Sequence, residues 1–392
     1  MLSRAATSLT LFGRHLERAD HLARILGVHV ALALDRTDEP GPEFWMRFMQ
    51  LAGWPGSDTG RRDQAIEMVI AGTLGPSVRT SVAAARLAAQ AVRPSLPSEL
   101  YEHVNALHWR VQQSGWQPDL YPFLNDVQMG VRLADGLLED TMSHDEARDF
   151  VRLGKFVERA ANVTAIVTKK SAELADSPED ALEWTAVLKS CFAFESYQSR
   201  YSGGVTPDRV IECLVLDEAL PRSARFSASA ALEAVTRIDG KGRRSRPRRL
   251  LSRFRSMFQR AETEAIAEHP RDFDSECRTL LRQLEVALRE TYFHPSKVST
   301  SVTGDEERAM PQQQQQRPHP AGVAVAAGLI PAATLFPSHP ALRGAGFKSD
   351  QSIYRKESRP GGEAARSMRS ICSSCPRLAR RGNHPGFLSY SR

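Results

Sequence analysis

The chain has 392 residues, 41% of them hydrophobic, and a formal net charge of +6, which is room for one large domain or two ordinary ones. The basic excess sits at one end: residues 301–392 carry 13 Lys/Arg against 6 Asp/Glu, and residues 1–300 carry the remaining 39 against 40. Overall basicity is therefore no argument for nucleic-acid binding by the folded part, and nucleic acid is not an expected partner.

Helical periodicity dominates from the start. Leu9, Phe12, Leu16, Ala19, Ala23, Leu26 and Val30 are spaced alternately by three and four, which predicts one long helix with a narrow apolar seam. Ser3 is its expected N-cap and the run Asp38-Glu39-Pro40-Gly41-Pro42 its stop. A second helix is predicted from Glu43 to about Ala52 and a third from near Arg62 to Gly75-Pro76. Ser77 is expected to cap a fourth, with Val78, Val82, Ala85 and Leu87 as its apolar positions, and Ser98 a fifth ending near Gly115. Tyr121 to about Met142 follows, with Val127, Val131, Leu133 and Leu137.

Ser143-x-x-Glu146 has the form of a capping box and opens a helix with Phe150, Leu153, Val157, Ala160, Thr164 and Val167 on its seam. A continuous helix is predicted over 180–201, another from Pro207, and another over 224–235. A basic loop at Lys241–Arg249 separates these from two last helices, about 250–268 and 273–290. No run alternates as a strand would. The fold class expected is all-α, a multi-helix bundle of antiparallel helices over residues 1–300. Residues 301–392, with five consecutive glutamines and many Pro and Gly, read as a low-complexity, disordered basic tail.

One phrase occurs twice. Gly13-Arg14-His15-Leu16-Glu17-Arg18-Ala19 returns 141 residues later as Gly154-Lys155-Phe156-Val157-Glu158-Arg159-Ala160. Each copy places a glutamate and an arginine at the edge of an apolar seam. Two readings follow. Glu17 and Glu158 share a cleft, where close carboxylates would raise one another's pKa and do acid–base work. Alternatively the carboxylates form interhelical ion pairs with Arg18, Arg159 or Arg86, a role that suits the arginine fork; this is the favoured reading. Pro221-Arg222-Ser223 reads as a helix start, with Arg222 able to reach a carboxylate or phosphate.

Other chemistry is sparse. A di-iron bundle needs two Glu-x-x-His pairs, and none is present; neither a metal nor a cofactor is expected. There is no phosphate loop, nucleophile elbow or HExxH motif. Lys241–Arg249 has six Lys/Arg in nine residues but no interleaved aromatics for stacking bases. Cys372 and Cys375 form a CxxC outside any strand–helix context. Five cysteines, an odd and scattered set, point to reduced thiols in a cytoplasmic protein. Charges at Arg14, Glu17, Arg18 and Asp20 interrupt any leader-like apolar run, and Ala321–Phe336 is too short for a membrane span.

These blocks, in this order, resemble the bacterial alpha-E domain family. Met1-Leu2-Ser3-Arg4 with Gly13-Arg14-x-x-Glu17-Arg18-Ala19-Asp20 is similar to its opening. The stretch from Thr141 to Glu146 with Phe150, Leu153, Gly154 and Glu158-Arg159-Ala160 is similar to a second block. Glu195, Tyr197 and Tyr201 with Pro207, Leu214, Asp217 and Pro221-Arg222-Ser223 are similar to a third. The resemblance covers about 1–300 and implies an all-helical domain of no established activity. It also implies a place in a bacterial peptide-synthesis or peptide-modification system beside an ATP-grasp-like ligase and a transglutaminase-like protease. Arg86 matches a further family block, but Leu87, Ala88 and Gln90 stand where that block has Glu, Asn and Arg. A non-catalytic adaptor is the first expectation, with Glu17, Arg18, Arg86, Glu158, Arg159 and Arg222 as binding residues. An enzyme using Glu17 and Glu158 is the second, and nucleic-acid binding through Lys241–Arg249 a weaker third.

Overall fold

The computed structural model describes residues 3–293, apart from 37–38, 55, 57–58, 114, 118 and 176–179. The expected tail, with Cys372 and Cys375, lies outside the described residues. Those residues form fourteen α-helices and no strand, so the chain is all-α. No described helix is long and apolar enough to cross a membrane.

The two helices that carry the repeated phrase are the longest and form the centre. They are α1 (Ser3–Asp35) and α7 (Glu146–Glu173). All seven seam residues of α1 and all six of α7 are buried, with Leu9, Phe12 and Leu153 wholly so. Burying a side chain such as Phe12 contributes about 2–3 kcal/mol. α1 also packs on α4 (Val78–Ala91), α6 (Leu120–Thr141) and α8 (Ala181–Ser190). α7 packs on α11 (Ala224–Asp239) and α14 (Pro270–Leu288). Around these stand α2 (Pro42–Leu51), α3 (Arg62–Ala71), α5 (Ser98–Gln113), α9 (Phe194–Arg200), α10 (Pro207–Ile211), α12 (Arg246–Arg260) and α13 (Thr263–Glu268).

α1 and α7 run side by side in the same direction, in equivalent register. Residues around 13 and 17 of one meet residues around 154 and 158 of the other. The contact is backbone on backbone. A Cβ on Gly13 would lie 2.1 Å from the carbonyl oxygen of Val151, and one on Gly154 would lie 1.9 Å from that of Thr10. Adding 141 to 10 and 13 gives 151 and 154, so the two contacts are one contact seen twice about a pseudo-twofold axis.

Several helix ends follow the expected chemistry. Ser77 caps α4 in a reciprocal box with Thr80, and Ser223 caps α11. Others differ. The α7 cap is Asp145, which accepts from the N–H of Ala147 and of Arg148, and Ser143 lies two residues too early. Leu87 and Leu133 are exposed, because each falls between the buried residues of its helix, one position before Ala88 and Ala134. The basic segment is only partly a loop: Ser245 caps α12, so Arg246–Arg249 form its first turn. The helix expected over 250–268 breaks at Ala261–Glu262.

The most consequential difference is within 180–201. The helix stops after Ser190 and restarts at Phe194. Ala193 N–H donates to the Leu188 carbonyl (3.0 Å) and Phe192 N–H to that of Lys189 (3.1 Å). This is the paired bonding of a Schellman end, whose left-handed position normally takes glycine. Here Phe192 takes it, at φ 58°, the one non-glycine residue with positive φ among those described. The conformation costs about 1–2 kcal/mol.

The crossing is tested by Gly13→Ala and Gly154→Ala. Each forces backbones apart, and each is expected to cost more than about 3 kcal/mol in urea unfolding. Gly136, which has nothing within 4 Å of its would-be Cβ, is the control. Gly136→Ala should stabilise α6 by up to about 1 kcal/mol. Equal effects at all three positions would refute the close contact.

Candidate functional site

One turn beyond the glycine contact, the two Glu-Arg pairs meet. Arg159 Nε donates to Glu17 Oε1 (2.8 Å) and its Nη2 to Oε2 (2.6 Å). In the reciprocal pair, Arg18 Nε donates to Glu158 Oε1 (2.7 Å) and its Nη2 to Oε2 (3.1 Å). Both are fork-on-fork pairs, the strong geometry for guanidinium and carboxylate. Glu17 and Glu158 are 4% and 2% exposed. Burial alone would raise both carboxyl pKa values. The guanidiniums of Arg159 and Arg222 outweigh it at Glu17, and that of Arg18 at Glu158, so both lie below the ordinary range.

The two carboxylates do not open on a shared cleft. Glu158 lies in a depression with Arg14 and Glu285, where Arg14 Nε is 3.6 Å from it. Glu17 faces the other way, into a cavity of about 20 Å³. A space of that size holds about one water-sized group. The expectation of Glu17 and Glu158 in one acid–base cleft is not met, because each is claimed by the opposite helix's arginine.

The Glu17 cavity gathers further charge. Arg222, at the α11 entrance, reaches Glu17 Oε1 (3.2 Å) and Asp20 Oδ2 (3.3 Å), and Arg159 also donates to the Pro221 carbonyl (3.2 Å). Arg24 pairs with Asp20 one turn along α1. The structure thus brings together Glu17, Arg18, Glu158, Arg159 and Arg222. It does not bring in Arg86, which donates to Asn105 Oδ1 (2.7 Å) and lies over Trp109 on the α4–α5 face. Asp20 and Arg24 escaped sequence reasoning, although their i, i+4 spacing on one helix face was a usable signal. Lys170 and Glu183 (2.9 Å) form another buried pair that sequence alone does not reveal, since the partners sit on different helices.

Titratable groups nearby are held uncharged. Burial, with the Arg24 charge, lowers His21 to about 4; burial, with the Lys170 charge, lowers His29 to about 4. Burial pushes the thiol of Cys191 up to about 12 and that of Cys213 up to about 11, the behaviour of packing thiols and not of nucleophiles. The basic segment is partly engaged: Arg246 pairs with Glu290 (2.7 Å), and Arg248 and Arg249 donate to the carbonyls of Arg243 and Arg244. Among the described residues no group of three His, Cys, Asp or Glu is arranged to hold a metal ion.

Comparison with known proteins accords with this geometry. Residues 1–293 match the model of a family described as a predicted alpha-helical domain with a conserved ER motif. The Glu-Arg pairs at 17–18 and 158–159 are the ones the fold places face to face. The chain is 24% identical over 315 residues to Uncharacterized protein Rv2567 of Mycobacterium tuberculosis, covering 73% of this chain and 36% of that one. Uncharacterized protein Mb2597 of Mycobacterium bovis matches to the same extent. The chain therefore spans about a third of the length of the curated relatives it matches. No solved structure matches it significantly.

The clamp predicts asymmetric mutational costs. Arg159→Met strands a buried carboxylate and should cost about 3–5 kcal/mol. Adding Glu17→Met should recover at least about 2 kcal/mol of that, as read by denaturant melts of the double-mutant cycle. Strictly additive losses would sink the pairing.

Acid sensitivity has a separate origin. The histidines' folded pKa values lie below 6.5, so the unfolded chain binds more protons as pH falls from about 6.5 to about 4, and stability drops over that window. Glu17 and Glu158 add stability that is present above about pH 4.5 and disappears only below it, as pH falls through their lowered values. In His29→Leu the slope of unfolding free energy between pH 4.5 and 6 should fall by about 1.4 kcal/mol per pH unit. An unchanged slope would remove His29 from the account.

Proposed function

This chain belongs to the Alpha-E family, and we propose that it works as a non-catalytic helical adaptor in a bacterial peptide-synthesis or peptide-modification system. Its partners in that reading are an ATP-grasp-like ligase and a transglutaminase-like protease. One observation carries the non-catalytic part. Both motif carboxylates are ionised, buried and bidentately occupied by the opposite motif's arginine. A general base needs a pKa near the working pH and a free lone pair facing substrate, and these groups have neither. The motif instead fixes two long helices in register, and their outer neighbours then present a rigid surface.

The length comparison supports the adaptor part. In the mycobacterial relatives the matching region is about a third of the polypeptide, so it works there alongside other sequence. The choice of partners rests on the family resemblance.

The test is affinity capture of the tagged full chain from its native host, read by mass spectrometry. Recovery of an ATP-grasp-like or transglutaminase-like protein is the expected result; repeated recovery of the chain alone would overturn the reading. Glu17→Gln with Glu158→Gln should lower the melting temperature and weaken capture together. Loss of a measured catalytic activity with the fold intact would favour an enzyme.

A further inference from the structure

Beyond the clamp, a groove of about 320 Å³ runs between α1, α6 and α8, within the usual size range of small-ligand sites. Its floor is a stripe of α1: Arg24, Gly27, Val28, Ala31 and Asp35. These positions follow one helix face. Arg24 and Asp35 are eleven residues apart, hence about 16 Å at 1.5 Å per residue. α8 lies antiparallel to α1, since Glu183 pairs with Arg36 and Phe192 packs on Arg24. Lys189 therefore sits toward the Arg24 end. One end of the groove is cationic and the other carries a carboxylate. Asn125, Gln128 and Thr185 on the walls offer both donors and acceptors between the two ends.

The cationic end is closed by Phe192. Three guanidiniums gather on its ring, with Arg132 at 4.1 Å, Arg24 at 4.5 Å and Arg222 at 5.8 Å from the centroid. Arg132 has no carboxylate partner among the described residues, and Asp20 serves both Arg24 and Arg222. Directly behind lies the small cavity, and its buried polar atoms include several with no hydrogen-bond partner in the protein. Among them are Arg24 Nη1, Asp20 Oδ1 and Ser190 Oγ, on side chains that are 4%, 1% and 2% exposed. Burial lowers the basicity of Arg24 by more than the Asp20 carboxylate raises it, and the Arg222 and Arg132 charges lower it further. Phe192 is itself half-exposed and holds the strained backbone noted above.

We infer that this groove binds a short extended peptide. The peptide's C-terminal carboxylate is taken by Arg24 and Arg132 at the Phe192 end, and its N-terminal ammonium pairs with Asp35. The phenyl ring covers the guanidiniums until the carboxylate takes its place. A span of about 16 Å at 3.3–3.6 Å per residue corresponds to four or five residues. Inorganic oxyanions satisfy the cationic end alone; only a ligand with both charges satisfies both ends. The inference is independent of the adaptor reading: it is read from ligand binding to the purified chain, and that reading from partner capture.

The experiment is calorimetric titration of the full chain with tetra-alanine, its C-terminal amide, its N-acetyl form and inorganic phosphate. Tetra-alanine with free ends should bind. The amide should bind at least tenfold more weakly and the N-acetyl form about threefold more weakly. Arg132→Met, a change at a half-buried arginine with no ion-pair partner to strand, should reproduce the tenfold loss, and Asp35→Asn the threefold loss. Should Arg132→Met not fold, the acid-against-amide comparison decides alone. Absence of tetra-alanine binding at millimolar concentration, equal binding of acid and amide, or phosphate binding as tight as the peptide would each overturn the assignment.

Discussion

Everything in this molecule depends on the place where α1 and α7 touch through Gly13 and Gly154. Helices with ordinary side chains at their contact stay 8–10 Å apart. Here neither contact position has room for a methyl group, so the backbones close up and the next turn brings Glu17 to Arg159 and Glu158 to Arg18. Buried charges are costly unless fully paired and hydrogen-bonded. The paired geometry is therefore selective more than it is stabilising. A slip by one residue rotates a helix by about 100° and leaves four charges unmatched in the core. Reversing one helix would carry Glu17 and Arg159 to opposite sides of the glycine contact. The duplicated phrase thus specifies direction, register and distance together.

The pseudo-twofold stops at the clamp. Adding 141 to Asp20 and Arg24 gives Ala161 and Ala165, so α7 carries no counterpart of the Asp20–Arg24 pair. Arg14 and Lys155 are equivalent, yet Arg14 approaches Glu158 while Lys155 pairs with Asp135 (2.8 Å). A symmetric scaffold with one elaborated side is what results when a paired frame carries a single site. Arg222 belongs to that elaboration, because it reaches Glu17 and Asp20 from the start of α11, whereas among the described residues Glu158 pairs only with arginines of α1.

Much of the fold was legible because it rests on local physics. The seams of α1 and α7, the caps at Ser77 and Ser223 and the all-α class follow from spacing and backbone chemistry that lie within a few residues. The repeated Glu-Arg phrase pointed to an interhelical pairing, and its partners are as that reading proposed for Arg18 and Arg159. Arg86 is not among them, since its helix turns it outward to Asn105. Partner choice between helices is a tertiary matter, and sequence spacing does not encode it. The glycines were visible in the motif, but nothing local says that a helical glycine marks a backbone contact. The break at Phe192 was the hardest to see. Left-handed helix ends are announced by glycine, and an aromatic residue there leaves the apolar pattern unbroken.

That break also marks where the molecule departs from its own rule. Among the described residues most buried charges are matched: Lys170 with Glu183, Asp149 with Arg237, Arg24 with Asp20, and the clamp itself. Around Phe192 a strained backbone, an arginine without a carboxylate and several unpartnered polar atoms occur together. Each is unfavourable alone, while α8 itself is anchored in the core by the buried Val187 and Leu188. Substituting glycine at 192 would remove the strain without disturbing the helix end. Local strain persists where the surrounding structure over-determines it, and such places cluster at ligand sites. Taken with the dipolar groove that opens beside it, the cost falls where a ligand's charge would offset it, and that separates this face from the scaffold that supports it.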